Sequence, residues 1–327
     1  MIPFSILDLC PILQNGTIAQ AFQDSVKLSQ LAERLGFKRY WIAEHHNMLG
    51  IASAATSLVI SHIANATNHI RIGSGGVMLP NHSPLVIAEQ FGTLVTLYGE
   101  RIDLGIGRAP GTDPLTATAL RRHLDTDLDS FPDDIIELQM LLSPKQPNQK
   151  LIAIPGEGTQ VPIWLLGSSL YSAELAAHLG MPYAFASHFT ADYLLKALAL
   201  YQNQFHPSSK QAKPYSMAGI VVIVADTDDE AHYLFSSMIQ QTAAIHKGTS
   251  MPLPPPSKEY LIHSQGKSSV THSLSEAIIG SPQTVRQKLQ AFIEKTKIDE
   301  LMITSRIYDE AARLYSLTKI AEIRASL

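Results

Sequence analysis

Length, composition and charge narrow the classes of protein to which this chain can belong. The 327 residues are 45% apolar, and 25 Lys and Arg are interspersed with 29 Asp and Glu. This is enough apolar material for one large core, and the lack of a basic stripe argues against a nucleic-acid partner. The single cysteine, Cys10, excludes an internal disulfide and fits a reducing compartment.

The beginning of the chain and its apolar runs argue against export and membrane insertion. The residues after Met1 lack the basic region and the small-residue cleavage site of a signal peptide. No apolar run approaches the ~20 residues that a membrane-spanning helix needs. We therefore expect a cytoplasmic protein without a membrane partner.

Short runs rich in Val, Ile and Leu alternate with amphipathic stretches along the whole chain, which is typical of βα units around a parallel sheet. The predicted strands are 4–9, 40–43, 70–75, 102–106, 163–166, 183–186, 217–224 and 300–304. The helices that follow them are 19–35, 54–66, 85–98, 133–142, 169–179, 191–205, 228–247 and 309–323. Eight such units predict an α/β fold, a (β/α)₈ TIM barrel forming a single domain over residues 1–327. An open doubly wound sheet has the same alternation and stays an alternative.

Two segments interrupt this alternation. Residues 143–162 form a Pro-rich connection in which the apolar run 151–154 could make an edge hairpin outside the barrel. Residues 248–280 are rich in Pro and Ser, and Pro282 then opens an additional helix that ends near residue 296. Because the second segment lies between the seventh and eighth strands, we expect it to be a lid over the barrel mouth. A surface loop without a role is the alternative.

The reactive residues of such a barrel lie where its strands end. The second strand runs into the sequence AEHHN at residues 43–47. Neighbouring strand residues point to opposite faces, so only one of His45 and His46 can face the barrel axis, which disfavours a metal site built on the pair. An imidazole is suited to proton transfer near neutral pH. The alternative for either histidine is a packing role beside Glu44.

The third, fourth and fifth strands end in residues suited to a flat, anionic ligand. Glycines at 73, 75 and 76 would leave one wall of the mouth without side chains, unless they only serve a tight turn. Arg108 has the geometry for a phosphate. Ser168 and Ser169 precede a helix, where hydroxyls and free N–H groups bind anions, although plain N-capping explains them too.

These strings together resemble one family. The sequences AEHHN at 43–47, GSGGVMLPNH at 73–82, GERIDLGIGRAPG at 99–111 and GSP at 280–282 are similar to those of the bacterial luciferase-like flavin-dependent monooxygenases, in particular the single-subunit luciferase-like oxidoreductase branch. The resemblance implies a TIM barrel with FMN at its C-terminal mouth. It also implies that a separate flavin reductase supplies reduced FMN (FMNH2) and that O2 is used to oxygenate a small, apolar organic substrate.

The resemblance assigns roles to individual residues. His45 matches the family's catalytic histidine. Gly75 and Gly76 match the pair whose peptide bond, cis in luciferase, lies beneath the flavin ring. Arg108 matches the arginine that binds the flavin phosphate.

The same match extends to the helix after the fifth strand, with three departures. Ser169 and Ser172 match hydroxyl positions there, whereas Ser168, also a candidate for cofactor binding, replaces a glutamate of luciferase. Gly107 stands where luciferase has a reactive cysteine. A second phosphate arginine has no clear counterpart, with Arg121 and Arg122 as candidates. These departures put light emission and an aldehyde substrate in doubt, but not flavin binding.

A substrate pocket is expected from residues near the same strand ends: Glu44, Met48, Met78 and His188. No protein-bound metal is expected. Two other functions stay open, a noncatalytic flavin-binding protein and a metal-dependent hydrolase that uses His45, His82 and His188. A homodimer through the second and third helices is also expected from the apolar face formed by Ala52, Ala55, Val59 and Ile63, although a core face has the same pattern.

Overall fold

The computed structural model describes residues 2–120, 130–263 and 274–327. Its strands are β1 (Phe4–Asp8), β2 (Arg39–Ile42), β3 (Arg71–Met78), β4 (Ile102–Gly107), β5 (Ile163–Gly167), β6 (Tyr183–Phe185), β7 (Ser216–Val224), β8 (Ile278–Gly280) and β9 (Glu300–Thr304). Its helices are α1 (Ile18–Arg34), α2 (Thr56–Asn65), α3 (Pro84–Tyr98), α4 (Pro114–Leu120), α5 (Phe131–Leu142), α6 (Leu170–His178), α7 (Leu194–Gln204), α8 (Asp228–His246), α9 (Lys258–His263), α10 (Pro282–Thr296) and α11 (Glu310–Ala325).

The strands close into a barrel. The hydrogen-bonded order is β6-β5-β4-β3-β2-β1-β9-β7, and a further pairing between β6 and β7 joins the two ends of this row. Every pairing is parallel, as βα units require. The predicted TIM barrel is therefore confirmed, and the open sheet is excluded because no edge is left between β6 and β7.

Side-chain alternation divides the barrel into two apolar layers. In β2, Tyr40 and Ile42 belong to the core between the barrel and its helices, while Trp41 belongs to a cluster inside the barrel. Leu7 and Met302 join Trp41 in that inner cluster. This period of two determines which residues at the strand ends face the mouth.

An ionic network closes the N-terminal end of the barrel. Arg39 donates hydrogen bonds to Asp103 and to Glu300, each at 2.8 Å. Both carboxylates are fully buried, and Arg71 and Lys38 provide further cations to Asp103 and Glu300, respectively. Buried charges are tolerated only when paired in this way, and the network joins β2, β4 and β9 at the end opposite the mouth.

The first interruption is not a hairpin. The described chain forms no strand within residues 143–162, so the expected edge hairpin at 151–154 is wrong. Ile154 and Pro155 are instead joined by a cis peptide bond, and Ala153 is buried in the core. Helix α3 reaches this turn through Gly92, where an added Cβ would collide with Pro155 and Gly156. This segment is therefore held by packing against α3 and not by strand pairing.

The described part of the second interruption contains regular secondary structure. It contains α9 and the short strand β8, which pairs with the C-terminal half of β7 outside the barrel ring. Leu253 forms a parallel bridge with Leu13, in the loop after β1. Residues 264–273 of the expected lid lie outside the described residues. The additional helix expected from Pro282 to residue 296 is confirmed as α10.

The apolar face that was expected to mediate a dimer serves mainly the core of the chain itself. Val59 and Ile63 are buried against the barrel, so they are not available to a second copy. The large apolar side chains that these helices expose are instead Leu58 on α2 and Val86 and Leu97 on α3. Within the described ranges, no helix has the length and apolar character needed to cross a membrane.

Candidate active site

A cavity of about 430 Å³ opens at the C-terminal ends of the strands. That volume is in the range of small-molecule binding sites. The barrel interior contributes apolar side chains to its walls, namely Leu7, Trp41, Leu166, Met217 and Met302. The strand ends and the following loops contribute further lining, which includes Gly107, Pro110, Phe185, Phe189 and Gly219. The cavity is therefore largely apolar, with polar groups concentrated on one side.

Gly75 and Gly76 form part of the wall and are joined by a cis peptide bond. A Cβ on Gly75 would lie 2.7 Å from Leu7 Cδ1, and a Cβ on Gly76 would lie 2.7 Å from the carbonyl oxygen of Gly105. Both distances are shorter than real Cβ contacts, so the backbone here has no room for side chains. The result is a bare stretch of backbone beside Trp41.

The polar side of the cavity combines an arginine with the beginning of α6. Arg108 is exposed, and its guanidinium carbon lies 4.2 Å from the ring centroid of Tyr171. Ser169 is the N-cap residue of α6, and its side chain makes no capping hydrogen bond. Ser168 and Ser172 line the cavity beside it, and Ser172 donates a hydrogen bond to the Ser169 carbonyl. Free N–H groups, hydroxyls and a cation therefore converge where an anion could bind.

His45 lies next to the cavity but is not part of its described lining. It has the same alternation as Trp41 and Ala43, which places it on the inner side of the barrel wall. Its Nδ1 is 3.1 Å from the carbonyl oxygen of Gly111, which can only accept, so Nδ1 carries the proton and Nε2 is the free acceptor. Burial lowers the pKa of His45, and the nearby charge of Arg306 lowers it further. The imidazole is therefore neutral at physiological pH.

Glu44 points to the other side of β2 and joins two loops. His46 and His82 donate hydrogen bonds of 2.8 and 2.9 Å to its carboxylate, and the backbone N–H of Met78 donates a third. Burial alone would raise the pKa of Glu44, but these hydrogen bonds outweigh it and lower the pKa to about 2. Glu44 lies outside the described lining of the cavity. Its contacts show a carboxylate that holds the loops after β2 and β3 together.

The histidines named for a metal-dependent hydrolase are not brought together as a ligand set. His82 is bonded to Glu44, and His45 is bonded to Gly111. Among the described residues, the group whose ligand atoms lie within 4.8 Å of one another is Glu44, His46 and His82. Hydrogen bonds of ordinary length account for this arrangement.

The remaining expected pocket residues divide between the cavity and its support. Met78 and His188 line the cavity, whereas Met48 packs against the apolar cluster inside the barrel. Burial lowers the pKa of His188 to about 4, with a further contribution from the charge of Arg306. His188 Nδ1 is buried and makes no hydrogen bond of normal geometry with a described residue. Arg121 and Arg122 lie outside the described residues.

Several residues at the site were missed in the sequence. Tyr171, in the first turn of α6, provides the ring beneath Arg108. Phe189 follows β6 and faces His45, with the ring centroids 6.3 Å apart. Arg306 follows β9 directly. The rule that barrel sites lie at strand ends would have identified Phe189 and Arg306, whereas no local pattern distinguishes Tyr171 from a surface residue.

Comparisons with known proteins identify relatives of this chain. The family model for luciferase-like monooxygenases matches residues 3–300. A protein of Escherichia coli (strain K12) named luciferase-like monooxygenase is 49% identical over 100% of this chain and 98% of its own length.

Solved structures show the same similarity. Apo-MsnO8 is 33% identical with a TM-score of 0.91 over 99% of both chains. The oxygenating constituent of 3,6-diketocamphane monooxygenase from Pseudomonas putida, solved in complex with FMN, has 18% identity and a TM-score of 0.72 over 98% of this chain and 97% of its own. The chain therefore belongs to the luciferase-like monooxygenase family and is an oxidoreductase of that family.

Proposed function

We propose that the chain is an FMN-dependent monooxygenase that takes reduced FMN from a separate flavin reductase and uses O2 to oxygenate a small organic substrate. The observation that carries the proposal is the pairing, in one cavity, of an anion-binding side at Arg108 and α6 with a bare backbone wall at Gly75 and Gly76. FMN has the matching parts, a phosphate dianion and a flat ring. The solved relative described as an oxygenating constituent, and containing FMN, supports this assignment.

The residues of the anion-binding side would hold the phosphate. Arg108 would provide two parallel N–H donors. Its guanidinium lies over the Tyr171 ring, which leaves the edge that carries these donors to the ligand. Ser168, Ser169 and Ser172 would add hydroxyls at the positive end of the α6 dipole. The ring would then lie along Gly75 and Gly76, where no side chain intervenes.

Bound reduced flavin supplies the electrons that activate O2, and the protein provides the surroundings. The apolar lining excludes water from the reacting atoms. His45 would accept a proton at Nε2, since Nδ1 is committed to the Gly111 carbonyl. His188 would stay neutral in the cavity wall because burial disfavours its charged form.

Two parts of the proposal concern partners. A separate reductase is proposed because the cavity suits one flavin and the related solved protein is an oxygenating constituent. A homodimer is proposed through α2 and α3, which expose Leu58 and Leu97 at 71% and 62%. Cytoplasmic location completes the proposal, because that is where such a reductase would supply reduced flavin.

Rapid mixing tests the central claim. Anaerobically reduced FMN, with and without protein, is mixed with oxygenated buffer, and the return of oxidised-flavin absorbance is followed. We expect the protein to alter this rate. Reoxidation at the rate of free reduced FMN would refute the proposal.

The variant His45→Ala tests the proposed role of His45 in the reaction. It should lose turnover in the presence of a flavin reductase and a candidate substrate while FMN affinity changes little, because His45 lies outside the described lining. His62→Ala, on α2, is the matched control. Equal behaviour of the two variants in both oxygen-dependent turnover and flavin reoxidation would show that His45 takes no part in the reaction.

A further inference from the structure

The C-terminal end of β9 carries a group of polar atoms that the flavin proposal does not use. Thr304 Oγ1, Ser305 Oγ and Arg306 Nε are all buried, and none of them makes a hydrogen bond with a described residue. Thr304 is only 3% exposed. Buried polar atoms are nearly always satisfied in folded proteins, so three consecutive exceptions indicate a missing partner.

The charge of Arg306 favours an anion as the partner of this group. Arg306 donates one hydrogen bond, from Nη1 to the neutral amide oxygen of Gln241 at 2.6 Å. No carboxylate among the described residues forms an ion pair with it. The charged group that shifts its pKa is Arg313, which is itself paired with Asp8 at 2.7 Å. Burial and Arg313 lower the pKa of Arg306 to about 10, so the guanidinium still carries its charge at neutral pH. Arg306 is partly buried. A cation held away from water without a counter-ion is costly, and a bound anion would reduce that cost.

Alternation along β9 directs Thr304, but not Ser305, towards the cavity. Met302 lines the cavity, and Thr304 is two residues further along the same strand, on the same face. Arg306 follows beyond the end of the strand and lies close enough to His45 and His188 for its charge to act on both imidazoles. Thr304 and Arg306 are not part of the described lining of the cavity, so they lie beside it, as His45 does.

The proposed binding of the flavin phosphate does not involve Arg306. In the closed barrel, β9 and β4 are opposite each other, with three strands between them in either direction. Arg108 follows β4, so the two arginines lie on opposite sides of the mouth. A phosphate held by Arg108 and α6 is therefore separated from Arg306 by the width of the barrel.

We propose that Arg306 and Thr304 bind a carboxylate of the organic substrate, which makes the substrate class a small organic acid with an apolar remainder. The planar guanidinium matches a carboxylate in geometry, and Thr304 Oγ1 adds a donor. The apolar part would lie against Met302 and Met217 on the cavity wall. This assignment rests on the proposed monooxygenase function only for its statement that the bound acid is oxygenated.

An acid and its amide provide the test, because they differ only in the group that Arg306 would recognise. The dissociation constants of 4-phenylbutyrate and 4-phenylbutanamide are measured by calorimetry, with and without FMN. We expect the wild-type protein to bind the acid at least about tenfold more tightly. Arg306→Gln should remove this preference, and Thr304→Val should reduce it.

Controls make the result specific to this group. Arg108→Gln should keep the acid preference, and Arg306→Gln should keep FMN affinity. Because Arg306→Gln removes a partly buried charge that has no counter-ion, the melting temperature of the variant should not fall, and this measurement would show that it is folded. A wild-type preference below tenfold, a preference that survives Arg306→Gln, or a loss of FMN affinity in that variant would each overturn the proposal. A failure of FMN to bind the wild-type protein would instead refute the monooxygenase function alone.

Discussion

Replacing Arg108 with glutamine should weaken the binding of FMN but not that of riboflavin, which has the same ring without the phosphate. The side chain forms no ion pair with a described residue and already lies over the Tyr171 ring, so little ordering is needed when a phosphate arrives. A hydrogen bond to a charged group contributes about 1.5–3 kcal/mol. The dissociation constant of FMN should therefore rise about 10- to 150-fold.

The assay is a titration of flavin fluorescence for both ligands against wild type, Arg108→Gln and Arg108→Lys. Riboflavin affinity should change less than about twofold, so the difference between the two ligands isolates the contact with the phosphate. Lysine keeps the charge but loses the planar pair of donors, and its effect should be intermediate. Because Arg108 is exposed, the effect should also shrink as salt is added.

Arg286→Gln is the matched control, since this arginine on α10 is exposed and bonded to the Ser326 carbonyl away from the cavity. It should leave both affinities unchanged. An equal loss of FMN and riboflavin affinity in Arg108→Gln would show that the arginine supports the ring or the fold. Unchanged FMN affinity in Arg108→Gln would show that the phosphate does not bind on this side of the mouth.

Three further outcomes follow from the structure. Arg39→Met breaks the buried network with Asp103 and Glu300 and should lower the free energy of unfolding by about 3 kcal/mol, measured in urea, with little change in FMN affinity. Gly219→Ala should cost about 1–3 kcal/mol and shift the imidazole NMR signals of His188, because the new Cβ would lie 2.5 Å from its Nδ1. The imidazole of His188 takes up a proton near pH 6.5 in the unfolded chain but only near 4 in the folded one, so it should lower the free energy of unfolding by about 3 kcal/mol as pH decreases through that window. His188→Gln should remove this contribution and leave the smaller fall that the lowered pKa of His45 causes.

The barrel was predictable because each βα unit has a recognisable pattern in its own stretch of sequence. Apolar runs of four to eight residues, flanked by helical stretches, locate the eight barrel strands, and all eight are present in the structure. The closure of the barrel could not be predicted from any of these runs, since it depends on the pairing of β6 with β7. The strand β8 was missed because three residues, Ile278–Gly280, are too short for a pattern and are ordered by their pairing with β7.

The site was only partly predictable, and for a different reason. Alternation shows that His45 and His46 point to opposite faces, but the choice between them needs the register of β2, which the burial of Trp41 inside the barrel supplies. The environment of Glu44 could not be foreseen, because His82 reaches it from the loop after β3. Contacts between residues on different loops produce no pattern in the local sequence.

The charge of Arg306 links the proposed binding of the substrate to the proposed proton transfer at His45. With Arg306 uncompensated, burial and its positive field keep His45 neutral, and the Gly111 carbonyl fixes the proton on Nδ1. His45 is then an acceptor in the resting protein. A carboxylate on Arg306 would cancel the field and raise the pKa of the imidazole, so binding of the acid would strengthen the base at the moment it is needed. The imidazole of His45, followed by NMR, should therefore show a higher pKa with 4-phenylbutyrate bound than with 4-phenylbutanamide, and equal values would mean that the two groups act independently.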